Sequence, residues 1–297
     1  MAEGFEATPG RLDAVTAARL GIPRAEVQRA IAAGGVLVDG EPRSKSFRLL
    51  GGEHVVVDLA PTTVLEPEGP AVELRYRDEH LAVVSKPSGV PTHPTEGRRS
   101  GTLVNRLLGM GLPLADVGDP LRPGIVHRLD AGTSGLMVIA CDEPARAALV
   151  EMFRRHEVDR RYLALVRGVA EHDRFVVDAP LGRRGARIQL DAAGGREAET
   201  AFEVLERFGR ASLLQAAPRT GRTHQIRVHL SSIGHPILGD GRYGGGGDAA
   251  RALGLQRPFL HSWRLAMDHP VTGTRIELED PLPPDLDAAL RRVRGEG

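Results

Sequence analysis

The stretch APTTVLEPEGP, spanning residues 60–70, limits what this chain can fold into more than any other feature. It is rich in Pro, Thr and Glu and has no hydrophobic period. Such a segment neither packs as a helix nor pairs as a strand, so the chain must fold as separate bodies on either side of it. We therefore expect a small domain at residues 1–60, a linker at 61–70 and a large domain at 71–297. The chain is 41% hydrophobic, enough for a sizeable core in the larger part.

In the small domain, RLDAVTAARLGIPRAEVQRAIAAGG places Leu12, Val15, Leu20, Val27 and Ile31 at helical intervals. Gly21 and Pro23 separate two helices, and Gly34-Gly35 ends the second. VLVDG then alternates into an Asp39-Gly40 turn, and FRLLGGEHVVVDL forms another strand pair. The expected order is helix, helix, strand, strand, strand.

Short strands dominate the large domain. LRYRDEHLAVVSK reads as two strands around the turn Arg77-Asp78-Glu79. YLALVRG, RFVVDAPLG, ETAFEVLERF and ASLLQAAP follow as further strands. Helices are few: TLVNRLLGMG, and ARAALVEMFRR with Ala148, Met152 and Phe153 on its apolar stripe. RYGGGGDAARALG reads as a mobile surface loop. The fold class is α+β, with a mixed, largely antiparallel sheet, flanking helices and loops, and a small N-terminal α/β domain.

Several function classes are disfavoured. No apolar run is long enough to span a bilayer, and MAEGFEATPGRLD has no apolar core of a secretory signal. A single cysteine, Cys141, excludes an internal disulfide, so we expect a cytoplasmic protein. His224, His229 and His235 lack the spacing of a helical metal-ligand pair, and no HExxH occurs, so no metal site is expected. GxGxxG and Walker A loops are absent, so no nucleotide cofactor is expected. Ser134 stands outside a nucleophile elbow. Net charge is zero, which taken alone argues mildly against a nucleic-acid partner. Yet residues 151–230 hold fifteen Arg against eleven acids, and the only lysines are Lys45 and Lys86. Arginine suits phosphate.

Three stretches could carry chemistry. In GIVHRLDAGTSGLMVIA, Asp130 lies among apolar neighbours, where a carboxylate needs donors or a cation. The following Thr133, Ser134 and Gly135 offer turn donors, and LMVIA anchors the turn in a sheet. Local chemistry supports equally an acid that caps its own turn and an acid presented for reaction. In TGRTHQIRVHLSSIGHPILGD, Thr223 fits as N-cap of a helix with Ile226, Leu230 and Ile233 buried and Gly234 as its stop. A strand is the alternative. Either way Arg227 falls off the main apolar stripe, free to fork onto a carboxylate, while Arg222 in the preceding loop is better placed for phosphate. In RRYLALVRG, Tyr162 opens an apolar strand. It suits sheet-edge packing, or a ring that stacks on a base.

RPGIVHRLDAGTSGLMVIA resembles the signature motif of the RluA/RluD-type pseudouridine synthases, which isomerise uridine in structured RNA. LAVVSKPSGVPTHP, GTLVNRLLG, RRYLALVRG and TGRTHQIRVHLSSIGHPILGD are similar to the family's other motifs, in the same order. RLDAVTAARLGIPRAEVQRAIAAGGVLVDG resembles an S4 RNA-binding module. The resemblance implies a pseudouridine synthase fold behind an S4-like domain, and no cofactor. It implies Asp130 as the catalytic acid, Tyr162 as the active-site tyrosine and Arg227 as the partner of the acid. Arg128 would help take the target base's place, with His127, Arg222, Arg24 and Arg29 on the RNA-contacting side and Thr133, Ser134 and Gly135 supporting the site. The implied partner is structured RNA, foremost 23S-type ribosomal RNA, met by a monomer away from any membrane. A non-catalytic RNA-binding or ribosome-assembly factor on the same fold is the alternative.

Overall fold

The computed structural model describes residues 3–32, 34–58, 65–95, 98–116 and 119–295, without the side chains of Ala25 and Arg29. It divides into two compact units, Met1–Val64 and Leu65–Gly297.

The first unit runs β1 (Glu3–Glu6), β2 (Gly10–Arg11), α1 (Leu12–Leu20), α2 (Arg24–Ala32), β3 (Val36–Val38), β4 (Glu41–Pro42), β5 (Arg48–Leu49) and β6 (His54–Val57). The two helices fall where expected, and so do β3, β5 and β6, but β4 is an added short strand, and β5 and β6 do not pair as expected: β5 pairs with β2, and β6 with β1 and β3. Two strands precede the helices that the hydrophobic pattern misses. EGFE has one apolar residue, Phe5, so β1 shows no period; pairing with β6 nevertheless buries that ring against Leu12, Val36 and Val55. Gly21, at φ 66°, closes α1 with its N–H on Ala17 O. The two helices are tied through Asp13, which is fully buried. It accepts from Arg24 Nη2 at 2.8 Å, Gln28 Nε2 at 2.7 Å and Arg11 Nε at 3.2 Å. Burial opposes its charge, but these donors hold the carboxyl well below the usual carboxylate range.

Part of the stretch read as a linker belongs to the second unit. Glu68 N–H donates to Asn105 O at 3.0 Å, and Asn105 Nδ2 donates to Glu66 O at 2.9 Å. Residues 61–64 lie outside the described residues.

The second unit is built on one large sheet. Its strands are β7 (Glu73–Arg77), β8 (Leu81–Lys86), β9 (Ser134–Ala140), β10 (Asp159–Arg167), β11 (Arg174–Asp178), β14 (Glu199–Arg207), β15 (Ala211–Pro218), β16 (Leu260–Asp268) and β17 (Arg275–Glu279). They stand in the order β11-β14-β15-β10-β16-β9-β8-β7, with β17 beside the second half of β16. Every pairing is antiparallel except β9 with β16, which run parallel for two register pairs, His261↔Ser134 and Ser262↔Gly135. A separate hairpin joins β12 (Leu181–Arg184) to β13 (Arg187–Leu190).

Around the sheet lie α3 (Leu103–Gly109), α4 (Glu143–Arg154), α5 (Gln225–Ser232), α6 (Asp248–Ala252) and α7 (Pro284–Arg294). β8 and β9 are buried on both faces. Ala82, Val84, Met137 and Ile139 join the core that takes Leu103, Leu230 and Leu286, while Leu81, Val83, Leu136 and Val138 join Leu149 on the other side. That is why LAVV and LMVIA read as unbroken apolar runs. No helix among the described residues is long and apolar enough to cross a membrane.

Two local expectations are refined. On α4 the fully buried residues are Ala145 and Leu149, while Met152 and Phe153 are half-covered and pack, as expected, against the same cluster as Leu149. RYGGGGDAARALG lies mostly at the surface but is anchored: it carries α6, Tyr243 and Ala250 are buried, and Gly245 lies so close to Ile237 O that a Cβ would sit 1.6 Å from it. A glycine run signals freedom in sequence, but here it permits close approach.

Candidate active site

The acid turn is held by the loop that follows β8. Lys86 is fully buried, and its Nζ donates to Pro87 O at 2.9 Å, Val90 O at 2.8 Å and Ala131 O at 3.4 Å. Gly89 N–H donates to Ala131 O at 2.8 Å. Thr92 Oγ1 donates to Leu129 O at 2.8 Å and lies 3.2 Å from Leu129 N. Backbone groups on both sides of Asp130 are thus pinned by LAVVSKPSGVPTHP, and Thr133 N–H closes the turn on Asp130 O at 3.0 Å. Burial pushes the Lys86 ammonium down to about 7, with the nearby Asp130 charge pulling the other way.

Of the three supporting residues named from sequence, only Thr133 belongs to the turn; Ser134 and Gly135 already open β9. Ser134 Oγ lies 3.0 Å from His261 Nδ1 and accepts from Arg257 Nη1 at 3.2 Å, so it serves the sheet rather than the carboxylate. Gly135, at φ 111°, lies against β16, where a Cβ would stand 2.3 Å from Ser262 O. No other residue fits that approach.

Asp130 meets Arg227 across the chain. Arg227 Nη1 donates to Asp130 Oδ2 at 3.0 Å. The other edge of the guanidinium is taken by Asp240, with Nε to Oδ2 at 2.6 Å and Nη2 to Oδ1 at 2.9 Å. The ring of Tyr243 lies 5.0 Å from Cζ of Arg227. Burial alone would lower the basicity of Arg227, but Asp240 and Asp130 raise it above that of an ordinary arginine. α5 begins one residue later than expected. Its N-cap is His224, in the left-handed region at φ 56° and without a capping bond. The helix start is pinned instead by Gln225, whose Oε1 accepts from Thr220 Oγ1 at 2.7 Å and Arg222 N at 3.0 Å. Ile233 falls outside the buried stripe. His224 Nδ1 lies 2.8 Å from the Tyr243 hydroxyl and Nε2 lies 3.9 Å from Asp130 Oδ2; burial pushes this imidazole below its ordinary value.

Asp130, Arg227 and Tyr162 line a single cleft of about 650 Å³. Tyr162 follows an irregularity in the β10–β16 register between Arg161 and Tyr162. It is buried, which raises its phenol above the ordinary range, with Arg160 and Ser262 beside it lowering it in part. Arg122, Arg128, Arg160, Arg196, Arg219 and Arg222 also line the cleft. A neutral chain thus concentrates positive charge where a polyanion would enter.

The RNA-side residues separate. Arg128 is exposed and has no ion-pair partner among the described residues. Arg222 stands at the rim, its Nε donating to Glu197 O at 3.0 Å. His127 turns into the wall: Nε2 accepts from Val138 N–H at 3.0 Å, the ring stacks on Phe153, and burial drives its pKa down to about 3. Arg24 is engaged by Asp13. The side chain of Arg29 lies outside the described residues. Sequence reading missed Asp240, Lys86 and Thr92. Their signals were faint: Gly239-Asp240 looks like any turn, and Lys86 stands out only as one of two lysines.

The model of the RNA pseudouridylate synthase family matches residues 80–232, and that of the S4 domain matches residues 10–55. The chain is 40% identical over 295 residues to an uncharacterized RNA pseudouridine synthase of Mycobacterium bovis, covering 97% of this chain and 95% of that one. It belongs to the RNA pseudouridine synthases. A ribosomal large subunit pseudouridine synthase D of Nitrosomonas europaea is 40% identical over 268 residues, 87% of this chain and 77% of that one. Among solved structures, Human RNA Pseudouridylate Synthase Domain Containing 1 superposes with a TM-score of 0.59 at 28% identity, over 73% of this chain and 87% of its own. The synthase is therefore an isomerase that converts uridine to pseudouridine, on the fold expected of it.

Proposed function

We propose that this synthase modifies large-subunit ribosomal RNA, with Asp130 as the reacting acid. The Asp130–Arg227 pair at the base of an arginine-lined cleft carries the reading. The ribosomal substrate is supported by relatives named for the large ribosomal subunit in Nitrosomonas europaea and Zymomonas mobilis.

The reaction breaks the bond from N1 to the ribose, turns the ring and joins C5 instead. A uridine in folded RNA must first leave its stack, at about a few kcal/mol. Arg128, exposed at the rim, fills the gap and meets phosphate. Asp130 acts on the flipped nucleotide as nucleophile or base, and Arg227 aims it. Tyr162 packs on the uracil and stands ready for the proton at C5. The N-terminal domain adds a grip of its own on the RNA. The enzyme works as a cytoplasmic monomer, and a single buried Cys141 suits a reducing compartment.

Asp130→Asn keeps the size of the side chain and removes its charge. Pseudouridine, read as carbodiimide-dependent primer stops on ribosomal RNA, should disappear; near-wild-type formation would sink the role of Asp130. Comparing pseudouridines across total RNA from cells with and without the gene tests the substrate: lost sites outside the large-subunit RNA would overturn it.

A further inference from the structure

We propose that Asp240 is a positioning residue, which holds Arg227 so that the guanidinium offers Asp130 one N–H and no more. The proposal rests on Asp130 being the reacting acid. A guanidinium has two edges suited to a carboxylate fork. Asp240 occupies one with both oxygens, at 2.6 and 2.9 Å, and only Nη1 reaches Asp130.

Asp240 cannot follow Arg227 if the arginine moves. Its carboxylate is 1% exposed, and Oδ1 also accepts from the backbone N–H groups of Arg242 at 3.2 Å and Tyr243 at 3.3 Å. Its backbone is fixed on both sides, N–H to Ile237 O at 3.0 Å and O from Gly245 N–H at 2.8 Å. Two glycines make this corner possible, Gly239 before Asp240 and Gly245 at the close of the turn: a Cβ on Gly239 would lie 1.9 Å from Arg257 O, and one on Gly245 would lie 1.6 Å from Ile237 O. Tyr243, from the same corner, covers the guanidinium face and binds His224.

A second buried carboxylate is costly to desolvate, and one cation beside Asp130 would not require it. What the arrangement adds is a constraint. An arginine released from Asp240 could rotate to fork Asp130 itself, engaging both oxygens and the full positive charge. Held as it is, Arg227 leaves Asp130 an oxygen for the nucleotide and shares its charge between two acids. Asp240 acts through Arg227 and does not touch the reacting atoms.

The test compares Asp240→Asn and Asp240→Glu in the full-length chain, on an RNA fragment that the wild type modifies. Rates are measured in single turnover at saturating enzyme, and affinity by filter binding. Asp240→Asn should slow the step about 10²-fold with RNA affinity changed by less than about 2-fold. Asp240→Glu should restore about 10-fold of that loss. A wild-type rate in Asp240→Asn overturns the proposal, as does a rate that falls only in proportion to the folded fraction. If Asp240→Asn does not fold, Asp240→Glu decides: a native melting temperature with a rate about 10-fold below wild type supports positioning, and a wild-type rate overturns it. Should the reading of Asp130 itself be wrong, Asp130→Asn stays active whatever the Asp240 variants do.

Discussion

Arg227 approaches Asp130 with a single nitrogen, Nη1, 3.0 Å from Oδ2, although the two side chains come from motifs 97 residues apart. Replacing Arg227 by Lys keeps a cation but removes the planar fork. An ammonium cannot span Asp240 and Asp130 together. We expect turnover to fall about 10²-fold, and unfolding free energy in urea to fall by about 3 kcal/mol because Asp240 is left buried without its fork. Wild-type turnover in Arg227→Lys would mean that any cation suffices.

Tyr162 is buried between strands, so its ring is held whether or not it carries a hydroxyl. Tyr162→Phe should keep fold and RNA affinity while slowing turnover by about 10² or more. Unchanged single-turnover rates would remove the phenol from the proton transfer.

Gly135 lies against the backbone of Ser262, where the only parallel pairing among the described strands occurs. Gly135→Ala should force β9 and β16 apart just after the acid turn. The expected cost is about 3 kcal/mol or more, with activity lost in the same step. Thermal melting beside wild type measures it; an unchanged melting temperature would show that the pairing yields freely.

His93 is buried, and burial first, then Arg122 and Arg128, bring its pKa down to about 4. The unfolded imidazole titrates near 6.5, so between about pH 6.5 and 4 the unfolded chain binds the extra proton. Stability contributed by neutral His93 is therefore complete above that window and lost as pH falls through it. In His93→Gln the slope of unfolding free energy against pH should be smaller there by up to about 1.4 kcal/mol per unit. Parallel wild-type and variant curves would rule out this linkage.

Arg128 is exposed at the cleft with no ion-pair partner among the described residues. Arg128→Ala should lower the salt slope of RNA binding by about one. A slope identical to wild type, with slower turnover, would instead confine Arg128 to displacing the base.

How much of this was legible in sequence depended on the range of the signal. Asp130, Tyr162 and Arg227 lie in motifs long enough to be recognised, and β8 and β9 announce themselves as apolar runs. In the first unit the two helices, β3, β5 and β6 were legible too, but β1, β2 and β4 were not: β1 has a single apolar residue and the other two are two residues long, too short to show a period. The roles of Asp240 and Lys86 were not legible, because a buried fork and a three-carbonyl ammonium site are defined by partners far along the chain. Likewise the glycine run after Tyr243 looks loose until Gly245 meets Ile237 O.

The sequence by itself determined the α+β class and the family resemblance, and it singled out Asp130 as the acid to test, because these depend on local period and on motif order. Only the tertiary structure decided that Arg227 divides itself between two carboxylates, that His127 turns inward, and that the loop after β8 holds the acid turn. Hydrogen bonds and ion pairs are set by distances between side chains, and those distances exist only once the strands are paired.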